Sequence, residues 1–247
     1  MSPETLLFFD ILGLQICQGY GLTESCGMAF VQRPQRSSRV GTCGLALDGV
    51  DVKFAEDGEI LLKSPGVFKG YLHDPAATAA TMSSDGWLST GDIGKFDDAG
   101  ELVIVDRKKA IIITSGGKNI SPSEIENVVR DSPFIHESIV VGEGRKFLGG
   151  LIQIDFETVG RWASERDISY STYKSLAIHP EVRTLVQGIV DEANKRFSRV
   201  ENIRRFVVLE KELHHDDGEL TATQKIRRSV IEKKFMRELA IIYEEKE

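Results

Sequence analysis

The sequence predicts an α+β fold in two parts, and three observations carry that reading. From Arg39 to Val105, short alternating segments are separated by Gly, Asp and Pro turns, the pattern of a small β-barrel or a curled antiparallel sheet. After Arg107, strand-like runs alternate with helical ones, as expected for helices packed around a small sheet. The change of character falls near Lys109 without a Gly/Ser-rich linker, so any motion between the parts must turn on a few residues.

The elements follow in order. Pro3 to Leu12 reads as a short buried helix, opened by proline and stopped at Gly13, with a strand over Leu14–Cys17 behind it. Val50–Phe54 alternates with period two, Glu56-Asp57-Gly58 turns, and Glu59–Lys63 alternates again, which predicts a hairpin. Phe96, the turn Asp97-Asp98-Ala99-Gly100 and Glu101–Val105 predict a second. Further on, Ala110–Thr114 reads as a strand, Pro122–Arg130 as a helix, and Ile135–Val141 and Leu148–Ile154 as strands. Helices are expected around Thr158–Arg166 and Pro180–Phe197, a strand at Ile203–Leu209, and a last helix from about Lys225 to Leu239.

Composition narrows the function classes. A chain of 247 residues, 41% hydrophobic and 28% charged, suits one large domain or two modest ones. The net charge of −7 is mild and spread out, which argues against non-specific nucleic-acid binding. Arg227-Arg228 and Lys233-Lys234 sit among mixed signs and read as solvated helix faces. The three cysteines, Cys17, Cys26 and Cys43, show no CxxC spacing, which fits a reduced intracellular setting without a zinc site. No run approaches the ~20 apolar residues of a membrane span. Glu4 and Asp10 interrupt the apolar N-terminal stretch and speak against a signal peptide. The cytoplasm is the expected location, with at most peripheral contact with a membrane. His214-His215-Asp216-Asp217 reads as solvated loop surface, and Trp162, Tyr170 and Tyr173 as local core.

Several segments combine residue types that suit nucleotide chemistry. Tyr20-Gly21-Leu22-Thr23-Glu24 offers an aromatic face, a position without a side chain, a hydroxyl and a carboxylate. A purine can stack on the ring, backbone can come close at glycine, and hydroxyl and carboxylate suit phosphate and Mg²⁺. A strand end turning at Gly21 with a solvated Glu24 explains the same residues equally well. Gly86-Trp87-Leu88-Ser89-Thr90-Gly91-Asp92 ends in a carboxylate able to accept two hydroxyl donors, or is a plain turn. Gly116-Gly117-Lys118-Asn119 leads from a strand to a helix, so its glycines permit positive φ or a close ligand; Ser121 as cap with Pro122 at the first helical position is a compatible reading. Lys225 stands in a polar turn before a helix with Ile226, Val230, Phe235 and Leu239 on its inner face. A lysine there is either solvent-facing or aimed at developing negative charge, and its opposition to the helix dipole favours the second reading.

Gln18–Glu24, Gly86–Asp92, the central run Asp106-Arg107-Lys108-Lys109-Ala110-Ile111-Ile112-Ile113-Thr114-Ser115-Gly116-Gly117-Lys118-Asn119-Ile120-Ser121-Pro122 and Thr221–Arg228 stand in an order that resembles the adenylate-forming enzymes. That superfamily comprises acyl-CoA synthetases, luciferases and peptide-synthetase adenylation domains, and the wording is most similar to a long-chain fatty acyl-CoA synthetase. The resemblance implies that Tyr20 stacks adenine beside Gly21, that Thr23 contacts phosphate and that Glu24 holds magnesium. It further implies that Asp92 and Arg107 grip the ribose diol, that Lys109 is a hinge, and that Lys225 is the catalytic lysine. Gly117, with Lys118 beside it, would border the tunnel for pantetheine. The implied substrates and cofactors are a fatty acid, ATP, Mg²⁺ and coenzyme A.

By the same resemblance, residues 1–105 are the tail of a large N-terminal domain, β-rich and barrel-like from about residue 39, and 106–247 a small mobile α+β domain. The Ser/Thr/Gly-rich loop that grips triphosphate in that family finds no room before Gln18. The expectation is therefore the C-terminal part of an enzyme, completed by a missing N-terminal segment or a partner chain, with most of the acyl pocket in the absent part. Two alternatives stand beside it: an acyl-AMP ligase that transfers to a carrier protein, and a non-catalytic fragment or half of a split enzyme.

Overall fold

The computed structural model describes residues 3–33, 40–221 and 225–244. Arg39, the expected start of the β-rich part, and Ala222–Gln224 of the Lys225 turn lie outside the described residues. Internal packing divides the chain into two compact units, one ending at Ile111 and one beginning at Ile112.

The first unit opens with helix α1, Pro3–Ile11, which ends where Gly13 takes a φ of +76°. The helix is not the buried element its composition suggests. Leu6 is buried, but Leu7, Phe8 and Ile11 are exposed. Its apolar residues run around the helix instead of along one stripe, so one contact surface covers only some of them. The strand expected at Leu14–Cys17 is absent, and pairing begins with β1, Gly19–Leu22. It runs antiparallel to β2, Gly27–Val31, which in turn pairs antiparallel with β3, Leu45–Ala46. The turn at Thr23–Cys26, with Cys26 at φ +56°, sets this register.

Both predicted hairpins form. Strands β4 (Asp51–Phe54) and β5 (Glu59–Lys63) pair antiparallel, as do β6 (Leu88–Phe96) and β7 (Leu102–Arg107). Helix α2, Pro75–Thr81, lies between β5 and β6, and its first turn is capped by Asp74, whose carboxylate accepts the Ala77 N–H at 2.8 Å. The four strands make one antiparallel sheet in the order β4-β5-β6-β7. Its core holds Phe30, Ile60, Leu62, Leu88 and Leu102. The barrel-like expectation is corrected here: among the described residues the strands form separate open sheets, none of them closed. Period-two alternation is common to a curled sheet and a barrel, so it does not distinguish them.

The second unit is layered. A short pair, β8 (Ile112–Ile113) and β9 (Asn119–Ile120), precedes helix α3, Pro122–Arg130. The strand expected from Ala110 to Thr114 is shorter because Lys108–Ala110 forms a 3-10 turn. Strands β10 (Ile135–Val141) and β11 (Leu148–Ile154) then pair antiparallel. Helices α4 (Phe156–Ser164), α5 (Tyr173–Ala177) and α6 (Pro180–Asn194) lead to β12, Ile203–Val208, parallel to β11. The single last helix is instead two, α7 (Arg228–Lys234) and α8 (Met236–Tyr243), broken at Phe235.

Strand β11 is buried along its whole length and sorts its residues between two cores. Leu148, Ile152 and Ile154 face a core with Ile125, Val159, Val182, Val186 and Val190, against which Trp162, Tyr170 and Tyr173 pack. Leu151 faces the other, with Leu213, Ile231, Phe235 and Ile242. Gly149 belongs to that second face. A Cβ there would stand 2.4 Å from the Ile242 side chain, so glycine is what allows α8 to lie against the sheet.

Strand β10 is an edge of this sheet. Its outward backbone at Val140 is met by side chains: Glu126 of α3 accepts the N–H at 2.7 Å, and Arg228 of α7 donates to the C=O at 2.9 Å. Arg228 also pairs with Glu126, which is 5% exposed. The reading of Arg227-Arg228 and Lys233-Lys234 as solvated faces is therefore wrong for Arg228; Lys234 is exposed and also reaches Glu219. Burial pushes the Glu126 carboxyl up, against the pull of Arg228. Removing the cation leaves a buried carboxylate alone. Arg228→Met should destabilise the second unit by about 3 kcal/mol or more, and adding Glu126→Gln should recover part of that loss. Urea unfolding followed by a probe in the second unit tests this; equal midpoints for wild type and Arg228→Met would refute it.

Candidate functional site

Strand β6 explains how a carboxylate comes to be buried. Leu88, Thr90 and Asp92 alternate onto its buried face, so Asp92 points inward with the core residues. The register of the β6–β7 hairpin places Arg107 directly opposite. Arg107 Nε lies 2.7 Å from Asp92 Oδ1, and the Tyr20 hydroxyl donates to Oδ2 at 2.7 Å. Three residues singled out in separate motifs thus meet at one carboxylate. Asp92 is 4% exposed, and burial pushes its carboxyl above the usual range, with Tyr20 and Arg107 opposing. Burial and the neighbouring carboxylate together push the Tyr20 phenol up, so it stays a donor. Each Asp92 oxygen keeps a second acceptor position, which leaves capacity for a hydroxyl-bearing ligand. The Tyr20 ring is half-buried and tilts against Phe30 with centroids 6.2 Å apart.

Glu59 and Lys108 support this arrangement and escaped the motif reading. The buried Glu59 carboxylate accepts the Gly91 N–H at 2.9 Å and pairs with Lys108 at 2.7 Å. It thereby fixes the residue preceding Asp92. No local pattern marks such a pair, since its members lie far apart in sequence.

Thr23 and Glu24 stand on the 3-10 turn between β1 and β2. Thr23 is exposed and Glu24 half-buried, its Oε1 accepting the Tyr71 hydroxyl at 2.7 Å. Tyr71, itself braced edge-on by Phe68 at 4.9 Å, is a neighbour the sequence did not disclose. Carboxylate and hydroxyl oxygens on one turn suit a hard cation such as Mg²⁺ and phosphate oxygens. At Gly21 the strand-end reading has a visible cause. A Cβ there would stand 1.8 Å from the Gly27 carbonyl oxygen, so the hairpin's own backbone demands the glycine.

Lys109 lies exposed in the 3-10 turn Lys108–Ala110, just before the boundary of the units. Gly117 and Lys118 belong to the turn of the β8–β9 pair, not to a direct strand-to-helix passage. Gly117 has φ +73°, donates its N–H to Thr114 at 2.9 Å, and has open space where a Cβ would be. Its glycine requirement is conformational within this unit. Lys118 is exposed, with its N–H on the Thr114 hydroxyl. Ser121 precedes α3 without a side-chain capping bond, and Pro122 takes the first helical position.

Lys225 does not open a helix, since α7 begins at Arg228. The dipole consideration therefore does not apply. Lys225 sits instead on the returning limb of a tight turn, exposed, its N–H on the Thr221 hydroxyl at 3.0 Å and its C=O accepting the Thr221 N–H at 2.8 Å. A Leu220–Ile226 bridge closes the turn's base. Gly117, Lys118 and Lys225 belong to the second unit and the Asp92 constellation to the first. Among the described residues, His214, His215 and Asp216 form the one group with metal-ligand spacing, all of them exposed.

Comparison with known proteins gives this geometry a family. The model of the AMP-binding enzyme C-terminal domain matches residues 109–247, and that of the AMP-binding enzyme matches residues 1–72. The chain is 37% identical over 237 residues to long-chain-fatty-acid–CoA ligase FadD15 of Mycobacterium bovis, covering 96% of this chain and 39% of that protein. It is 33% identical over 258 residues to long-chain-fatty-acid–CoA ligase 6 of Homo sapiens, covering 98% and 37%. Among solved structures it is similar to o-succinylbenzoate CoA synthetase (MenE) from Bacillus subtilis in complex with the acyl-adenylate intermediate OSB-AMP. That match has a TM-score of 0.71 and 25% identity, covering 92% of this chain and 43% of the other. The chain spans about two fifths of the length of the curated relatives it matches. Its motifs, its fold and the match over residues 109–247 agree: the chain belongs to the family of AMP-binding, adenylate-forming enzymes.

Proposed function

We propose that this chain is the C-terminal part of an ATP-dependent long-chain fatty acid–CoA ligase. The observation that carries the reading is the meeting of Tyr20, Asp92 and Arg107 at one buried carboxylate, in a family that adenylates its substrates. The relatives named above are fatty-acid–CoA ligases, which favours coenzyme A over a carrier protein as acceptor. The reaction has two halves. A fatty acid carboxylate oxygen attacks the α-phosphorus of ATP and pyrophosphate leaves; the CoA thiol then attacks the acyl carbon and AMP leaves.

In this reading Asp92 and Arg107 hold the ribose diol, Tyr20 lies under the adenine, and Thr23 receives phosphate oxygens. Glu24, braced by the Tyr71 hydroxyl, would hold Mg²⁺, which neutralises charge on the phosphates when bound. Lys225 meets the charge that develops as carboxylate oxygen reaches phosphorus, while Lys109 absorbs the rotation that exchanges the two halves. Gly117 and Lys118 border the path of the thiol-bearing arm. Positioning and electrostatics supply most of the catalysis, as is general for such transfers. The cytoplasm remains the proposed location; among the described residues no helix is long and apolar enough to cross a membrane.

Two substitutions in the complete enzyme separate the halves. Lys225→Ala should slow acyl-adenylate formation by about 10²–10³ and largely spare thioester formation from preformed acyl-AMP. Equal losses in both half-reactions, followed by pyrophosphate release and by acyl-CoA formation, would contradict the assignment. Gly117→Leu should do the reverse, blocking transfer to CoA while adenylation continues. Because Gly117 has φ +73°, any side chain there costs about 1–2 kcal/mol of backbone strain. Gly117→Ala carries that strain without the bulk and should retain most transfer. If alanine and leucine lower transfer and adenylation alike, the glycine serves its turn and not the thiol path.

A further inference from the structure

Among the carboxylates of the second unit, Glu219 is the most completely withdrawn from water, at 1% exposure. It lies at the foot of the turn that carries Lys225. Its Oε1 is 2.8 Å from Lys211 Nζ and 3.4 Å from Lys234 Nζ, and its Oε2 accepts the His214 N–H at 3.0 Å. Its own C=O accepts the Arg227 N–H at 2.9 Å. The residue therefore ties together the segment after β12, the start of α7 and α7's last turn. The two lysines also share Asp217: Lys211 pairs with its carboxylate and Lys234 donates to its C=O. Between these anchors runs the Lys225 turn, closed by the Leu220–Ile226 bridge and the Thr221–Lys225 bonds.

A fully desolvated carboxylate costs several kcal/mol unless cations and donors surround it. Here two lysines, shared with Asp217, and the His214 N–H surround it. What this network secures is geometry. Lysine side chains are flexible, so an exposed Lys225 is aimed only as well as its backbone is held. That backbone is held at its base, by the Leu220–Ile226 bridge and the bonds between Thr221 and Lys225.

We propose that Glu219 is the positioning residue of the Lys225 turn: its buried carboxylate, clamped by Lys211 and Lys234, locks the base of the turn and thereby aims Lys225. This rests on the reading of Lys225 given above, so the test has an arm independent of catalysis. Glu219→Gln keeps the shape, loses the charge, and leaves two lysines facing an amide. In the 247-residue chain, amide exchange at Thr221, Lys225 and Arg227 should quicken by about tenfold, with β10 and β11 amides unchanged. In the complete enzyme, adenylation should fall by about tenfold or more while acyl transfer from preformed acyl-AMP stays within about twofold. Glu219→Asp, which keeps the charge, should recover part of both losses. Unchanged exchange at the three amides overturns the proposal, as does an equal loss in both half-reactions, which would mark Glu219 as support for the whole unit. If Lys225→Ala leaves adenylation intact, the assignment of Lys225 fails, and the exchange result still decides whether Glu219 locks the turn.

Discussion

A cation beside it stabilises a carboxylate taken out of water, and among the described residues four such meetings organise this chain. Asp92 finds Arg107, Glu59 finds Lys108, Glu126 finds Arg228, and Glu219 finds Lys211 and Lys234. Every one of these carboxylates is buried, and every cation is more exposed than its partner. A pair of this kind contributes little net stability over well-packed apolar residues, whereas removing one member costs several kcal/mol. Such pairs therefore penalise wrong registers more than they reward the right one. A slip of one residue in the β6–β7 hairpin would turn Asp92 to the opposite face and away from Arg107.

The four pairs also divide the functional labour. Glu59–Lys108 holds the Gly91 backbone and so fixes where Asp92 begins its inward turn. Asp92–Arg107, with the Tyr20 hydroxyl, makes a grip with spare acceptor positions. Glu126–Arg228 satisfies the free edge of β10 and fastens α7 to it. Glu219 secures the turn that enters α7. The Asp92 constellation of the first unit and the Lys225 turn of the second are thus each built on a desolvated charge, and a satisfied network of that kind rigidifies its surroundings.

Much of the fold was legible. Helix Pro122–Arg130 was readable because proline marks its first residue, and the strands Ile135–Val141 and Leu148–Ile154 because β-branched runs end at Gly and Asp. The break at Phe235 was not, since Lys225 to Leu239 reads as one helical run; Phe235 itself is buried in the second core. Barrel closure was over-read because local alternation carries no information about which strands meet at the ends. In the site, the residue types at Tyr20, Asp92 and Arg107 were visible, but their meeting depends on hairpin register. At Gly21 the need for close approach is legible, but not that the approaching backbone is Gly27. The roles of Arg228 and Tyr71 are not legible locally, because the partner that gives each its role lies far away in the chain.

In the proposed enzyme β6 and β7 present a grip for a ribose diol. Calorimetric titration of the chain with AMP and with 2′,3′-dideoxy-AMP tests it most directly. The two nucleotides share base and phosphate and differ only in the hydroxyls that Asp92 would accept. Hydrogen bonds to a charged group contribute about 1.5–3 kcal/mol each, so the account predicts that the dideoxy compound binds at least about tenfold more weakly. Equal affinities would contradict it.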